Sequence, residues 1–189
     1  MKKIISLFQR NYDGDRLVRD EVVPGAEWVI NGEGIATVKI DGTCCMVRDG
    51  KLFKRYDAKR GKKAPDGFEP AQDPDLITGH WPGWLPVGDG PEDQYHREAF
   101  DLKAEWEDGT YELTGPKVQG NPYSMNRHVL NKHGSLILVY DPPRTFDGLR
   151  QCFRESEIEG IVWHRENGDM VKIKRKDFGF DWPPYRRNK

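Results

Sequence analysis

Short apolar runs rich in β-branched and aromatic residues recur along this chain at 4–8, 34–40, 43–47, 51–56, 110–113, 135–140, 159–164 and 169–174, each bounded by Gly, Pro, Asp or Asn. Runs of this length, punctuated by turn formers, are strands. Two hairpins result: Arg48-Asp49-Gly50 turns 43–47 back into 51–56, and Glu166-Asn167-Gly168 turns 161–164 back into 170–174. Helical periodicity is confined to 92–103 and 145–155. In the second segment Thr145 is placed to cap the N-terminus, and Phe146, Leu149, Cys152 and Phe153 share one face. The expected class is α+β, dominated by antiparallel strands. The stretch 62–90, rich in Pro, Gly and Asp, contains Trp81-Pro-Gly-Trp-Leu-Pro86 and is expected to be a long surface loop pinned by its tryptophans.

A chain of 189 residues with 36% hydrophobic content can bury one core, so a single domain is expected over 1–183 with a basic tail at 184–189. Its 30 basic and 31 acidic residues nearly cancel, which excludes attraction of nucleic acid by the molecule as a whole. Any such contact must come from a local patch. The opening apolar stretch ends too soon for a signal peptide and no run is long enough to cross a bilayer, so a cytoplasmic protein without a membrane partner is expected. Cys44, Cys45 and Cys152 are odd in number and two are adjacent, which suits neither a disulfide framework nor a zinc site. His80, His96, His128, His133 and His164 form no metal-ligand spacing with them and are expected to be surface or hydrogen-bonded structural residues.

The chemistry is concentrated in Val38-Lys39-Ile40-Asp41-Gly42-Thr43, where one lysine ends an apolar strand and is followed by an acid and a glycine. Partial desolvation there lowers a lysine's pKa and frees its amine as a nucleophile. Three fixed residues carry little weight alone. They gain it from four segments that come later in the chain: Lys54-Arg55-Tyr56-Asp57-Ala58-Lys59-Arg60-Gly61, Tyr111-Glu112-Leu113, Glu159-Gly160-Ile161-Val162 and Val171-Lys172-Ile173-Lys174. Nucleotidyl transfer needs these parts: an amine, cations for a triphosphate, a carboxylate for ribose hydroxyls and another for a divalent metal. In the last strand, alternation puts Lys172 and Lys174 on one face while Val171 and Ile173 fill the core. A solvated edge strand would show the same alternation, but pairing in the hairpin places Glu159 close to both lysines.

These segments resemble the ordered motifs of the covalent nucleotidyltransferase superfamily, which comprises polynucleotide ligases and messenger-RNA capping enzymes. Lys-Ile-Asp-Gly-Thr-Cys-Cys, Trp-Pro-Gly-Trp-Leu-Pro-Val, Gly-Asn-Pro-Tyr at 120–123, the segment 158–164 and Asp181-Trp182-Pro183 are similar, within it, to the family containing the vertebrate 5′ to 3′ RNA ligase. The resemblance implies an adenylyltransferase fold, two antiparallel sheets flanked by helices with the nucleotide in the cleft between them. Only 15 residues come after Lys174, so an OB domain is not expected. It implies Lys39 as the adenylated nucleophile, with Val38, Ile40, Asp41 and Gly42 shaping the nucleotide-binding segment around it. Arg55, with Arg60 as its rival, would contact a phosphate or the ribose. Glu112 would bind the ribose, Glu159 the metal, Lys172 and Lys174 the α-phosphate, and Tyr140 is the candidate to stack on adenine, a buried core tyrosine being the alternative. Cys44 stands where many DNA ligases and capping enzymes carry arginine, which turns the resemblance toward RNA ligases.

The implied activity joins RNA 5′-phosphate and 3′-hydroxyl ends with ATP and Mg²⁺ or Mn²⁺ through a lysyl-AMP enzyme, acting as a monomer. The alternatives are a DNA nick ligase, a GTP-dependent guanylyltransferase and an RNA-binding module that kept the fold and lost the chemistry. The locally basic segment 164–189, with Arg165, Lys172, Lys174, Arg175, Lys176, Arg186, Arg187 and Lys189, is the expected track for an RNA backbone, a disordered basic tail being the equal alternative for 186–189.

Overall fold

The computed structural model describes residues 1, 3–59, 61–76 and 78–184. Along the chain the strands and α-helices are β1 (Ile5–Ser6), β2 (Phe8–Arg10), β3 (Val18–Val22), α1 (Glu27–Ile30), β4 (Ile35–Lys39), β5 (Thr43–Arg48), β6 (Lys51–Lys59), β7 (Glu69–Pro70) and β8 (His80–Pro86). After these come α2 (Gln94–Phe100), β9 (Gly109–Thr114), β10 (Val129–Lys132), α3 (Phe146–Glu155), β11 (Gly160–His164) and β12 (Met170–Lys174). Short 3-10 turns occupy Pro91–Asp93 and Arg175–Phe178. The class is α+β, and antiparallel pairing dominates. Among the described residues, no helix is long and apolar enough to cross a membrane.

The chain divides into two compact units, Met1–Lys3 with Asp41–His133, and Ile4–Ile40 with Gly134–Lys189. The first is built on a six-stranded sheet in the order β10-β9-β5-β6-β8-β7. Its β5–β6 hairpin closes over Asp49 and Gly50, whose φ angles of 52° and 69° are those of a primed turn, so the Asp-Gly signal was sufficient. Cys45, Val47, Leu52, Tyr111, Leu113 and Leu130 make one apolar face, covered by Ala99 of α2 with Tyr95, Phe100 and Trp106. The stretch 62–90 is not simply loop. It contains β7 and β8, and β8 runs between β6 and β7 with Trp84 buried. Pro82 and Pro86 hide this strand in the sequence because proline removes a ladder donor. The carbonyl of Pro82 still accepts from the Ala71 N–H at 3.0 Å.

The second unit holds a four-stranded sheet, β1-β12-β11-β4, and the β2–β3 pair. Ile161, Trp163, Val171 and Ile173 point from the sheet into a core closed by Leu149 and Phe153 of α3, with Leu7, Phe8, Trp28 and Val29. Thr145 caps α3 by accepting from the Gly148 N–H at 3.3 Å. The α-helix in 92–103 is shorter than its periodicity predicts and ends at Phe100. The expected strand at 135–140 is not a strand. Leu136 accepts from the Val38 N–H and Leu138 donates to Ala36, but Ile137 makes a single isolated bridge with Thr37, and Val139 is fully exposed. Within this stretch only Leu138 packs against the core, while Leu136, Ile137, Val139 and Tyr140 are exposed. β3, α1 and β10 carry no clear sequence signal; Val18–Val22 reads Val-Arg-Asp-Glu-Val, whose charged middle conceals a strand with one buried end.

Candidate functional site

In the second unit β11 lies between β4 and β12, and its first residue, Gly160, is opposite both Lys39 and Lys174. Three cation-bearing positions and the glutamate preceding β11 are therefore fixed by hydrogen-bonded register instead of by loop placement. The Lys39 ammonium donates to Glu159 Oε2 at 2.6 Å and to the Ile40 carbonyl at 3.2 Å. Glu159 is itself buried, with 7% of its surface exposed. Val171 and Ile173 are buried while Lys172 and Lys174 are half-buried on the opposite face, as strand alternation requires. β12 is not an edge strand, since β1 pairs with it in parallel through Ile5 and Ser6.

Burial pushes the Lys172 ammonium down to about 8, helped by the charges of Lys39 and Lys174. Asp177, which is fully buried, accepts from the Lys174 N–H at 2.8 Å and is ion-paired to Arg10. Three ammonium groups thus share the local negative charge of Glu159 and Asp177, and a polyanion would relieve their repulsion. Glu159 offers oxygen to a hard divalent cation.

The unit boundary falls after Ile40, so the next motif residues belong to the first unit. The Asp41 N–H donates to Tyr123 Oη at 2.7 Å, and the Gly42 N–H donates to Glu112 Oε1 at 3.1 Å. A Cβ at Gly42 would lie 2.2 Å from the Leu113 carbonyl oxygen and 2.8 Å from Glu112 Cγ. Only glycine permits this approach. Glu112 Oε2 lies 2.8 Å from His133 Nε2, and His133 Nδ1 lies 2.9 Å from Thr110 Oγ1. Arg55 donates to the Met1 carbonyl at 2.8 Å and stacks over Trp84 at 4.9 Å; burial holds its guanidinium below the ordinary value. Its neighbour Lys54 is committed to structure, paired at 2.5 Å with the buried Asp93.

Two expectations are corrected. Tyr140 neither ends a strand nor sits in the core: it is 47% exposed, with its hydroxyl 4.0 Å from Cys152 Sγ. Arg175 cannot track a phosphate backbone, because it is 8% exposed and its guanidinium donates to the carbonyls of Phe153, Ser156 and Asp181. Arg165, by contrast, keeps 34% of its side chain exposed and makes a surface pair with Glu33 at 2.7 Å. Among the histidines, His80, His128, His133 and His164 are hydrogen-bonded, whereas both ring nitrogens of His96 are buried without a hydrogen bond. Arg60 and the tail residues 185–189 lie outside the described residues.

Tyr123, His133 and Asp177 were missed as supporting residues. Tyr123 belongs to the Gly-Asn-Pro-Tyr word that carried the resemblance, but nothing in that word gives its target. His133 acts through pairings distant in sequence, whereas Asp177 joins a local contact with the Lys174 N–H to a distant ion pair with Arg10.

A protein-family model described as RNA ligase 1 matches residues 92–188, just over half of the chain. The span includes Glu112, Glu159, Lys172 and Lys174 and begins after Lys39 and Arg55. The Mus musculus protein named RNA ligase 1 is 27% identical over 223 aligned residues, covering 79% of this chain and 68% of its own. The Danio rerio protein of the same name is 29% identical over 222 aligned residues, covering 78% and 68%.

Proposed function

This chain belongs to the RNA ligase 1 family, and on that premise we propose that it joins RNA 5′-phosphate and 3′-hydroxyl ends with ATP, through a lysyl-AMP enzyme formed on Lys39. The observation that carries the reading is the meeting of Lys39 on β4 and Lys172 on β12 with Glu159, which directly precedes the β11 strand between them: a nucleophile, an anion-binding cation and an oxygen ligand. The fold we infer is the adenylyltransferase fold, and the antiparallel sheets of the two units support it.

In the first step the Lys39 ammonium releases a proton to solvent, leaves Glu159, and its neutral amine attacks the α-phosphorus in line with the departing pyrophosphate, forming a P–N bond as the P–O bond to pyrophosphate breaks. Lys172 and Lys174 neutralise the charge gathering on the α-phosphate oxygens. By the resemblance, Glu112 would take the ribose hydroxyls and Arg55 a phosphate or the ribose. A divalent ion fits the donor set, since Mg²⁺ and Mn²⁺ are held by one or two carboxylates together with substrate phosphates and Glu159 supplies such a carboxylate. Bound there, Mg²⁺ or Mn²⁺ would supply Lewis-acid charge neutralisation. AMP then passes to an RNA 5′-phosphate, and a 3′-hydroxyl displaces it to seal the strand.

Incubation with labelled ATP or GTP and a divalent metal, followed by a denaturing gel, tests this. A covalent adenylate supports the ligase, a guanylate would make the chain a capping-type enzyme, and no adduct would leave an RNA-binding module. Matched RNA and DNA ends then separate RNA from DNA ligation, with RNA expected to be preferred through its 2′-hydroxyls.

A further inference from the structure

Apart from the lysine cluster, the first unit gathers a thiol, a carboxylate and an imidazole on its sheet. Cys44 of β5 and Glu112 of β9 are direct cross-strand partners, so their side chains leave the same face. His133 directly succeeds β10, and its N–H is anchored on the Thr110 carbonyl at 3.0 Å. One donor atom from each of Cys44, Glu112 and His133 lies within 4.8 Å of the other two; Cys44 and His133 are half-buried and Glu112 is buried. In a tetrahedral zinc site with bonds of about 2.0–2.3 Å, donor atoms stand roughly 3.3–3.8 Å apart. Small side-chain rotations close that difference.

We propose that Cys44, Glu112 and His133 form a binding site for one divalent cation of the zinc class, with its fourth position open. The donor chemistry selects the ion: thiolate and imidazole favour zinc, whereas magnesium takes oxygen ligands. A thiolate and a carboxylate together balance the charge of a divalent ion, with the imidazole neutral. The supporting contacts are those of built metal sites, in which the ligands are held by further hydrogen bonds. Glu112 Oε1 is held by the Gly42 N–H, leaving Oε2 for the metal. His133 Nε2 faces Glu112 Oε2 at 2.8 Å, so without metal it carries the proton and donates. When a cation binds at Nε2, the neutral ring carries its single proton on Nδ1 instead and donates it to Thr110 Oγ1, 2.9 Å away. A hydroxyl serves either tautomer, since it can donate or accept.

The cation would occupy the carboxylate that the ligase reading gives to the ribose, so zinc would compete with ATP. That consequence rests on the proposed function; the site itself does not.

The test is a titration of the metal-free full chain with Co²⁺ alone, in the absence of nucleotide. One equivalent is expected to bind, with a near-ultraviolet thiolate-to-cobalt band and tetrahedral visible bands, and Zn²⁺ is expected to displace it. Cys44→Ser, nearly isosteric, should abolish the near-ultraviolet band. His133→Gln should weaken binding by about 100-fold or more, since loss of an outer partner alone costs 10- to 100-fold. Absence of a thiolate band, or a band unchanged in Cys44→Ser, would overturn the site. Because no nucleotide is present, failure of the ligase assignment cannot imitate either result.

Discussion

Lys39 Nζ donates to Glu159 Oε2 at 2.6 Å, tying the last residue of β4 to the residue that precedes β11. The pair sits beside Lys172, whose proton affinity is lowered in part by the Lys39 charge. The proposed nucleophile is therefore stored as one half of an ion pair, and its partner is the carboxylate proposed for the metal.

Lys39→Ala should abolish nucleotide attachment with little loss of stability. The substitution deprives Glu159 of a partner, but it also removes a repelling charge from Lys172, and these effects oppose each other. A melting temperature within about 4 °C of the parent, the shift expected for roughly 1 kcal/mol, together with no labelled adduct on a denaturing gel, is the expected outcome. An adduct formed at the parental rate would place the nucleophile elsewhere.

Glu159→Ala should behave differently. It removes negative charge and leaves Lys39, Lys172 and Lys174 facing one another, so both effects now act in the same direction. With side-chain exposures of 22% and 9%, the pair is less costly to break than a fully buried one, and a loss of about 2 kcal/mol in urea denaturation is expected. Adenylation should fall and recover in part as Mg²⁺ is raised. Unchanged stability, with unchanged activity at limiting metal, would reduce Glu159 to a strand-end carboxylate.

Much of this cluster was legible because strand periodicity is local. Alternation alone puts Lys172 and Lys174 on one face, and the Asn-Gly turn pairs their strand with the one after Glu159. What sequence could not supply is pairing across long separations. Nothing near residue 39 announces that β4 completes the same sheet, and nothing near Glu112 announces His133. Composition misled in both directions: proline concealed β8, and apolar residues at 135–140 suggested a strand where the chain keeps Val139 in solvent. Positive charge in 164–189 was visible, but burial, which sequence does not give, decides that Arg175 holds the fold and does not meet RNA.

Arg175→Ala should accordingly destabilise the protein, by about 3 kcal/mol, because it strands carbonyls of Phe153, Ser156 and Asp181 that the guanidinium now satisfies. Arg175→Lys should recover only part, since an ammonium lacks the planar fork that reaches several acceptors at once. Chemical denaturation measures both. A variant of parental stability whose RNA affinity had dropped would restore Arg175 to the basic patch.

Lys172→Met should stabilise the fold while impairing adenylation, and the gain should depend on pH. In the folded chain Lys172 titrates at about 8, against an ordinary value of 10.5. Between these values the unfolded chain binds a proton that the folded chain does not, so stability contributed by this group rises with pH. Below pH 8 both states are protonated and the penalty for burying the charge beside Lys39 and Lys174 is felt in full. Methionine removes that penalty, for a gain of about 1–3 kcal/mol at pH 7 after allowance for partial exposure. The advantage should shrink from pH 8 upward and be largely gone by pH 10.5, where the folded-state lysine is neutral and the unfolded-state lysine is half neutral. Urea denaturation of both proteins across this window measures it. A difference that stayed constant with pH would mean that methionine acts by packing, and that the Lys172 charge is not strained.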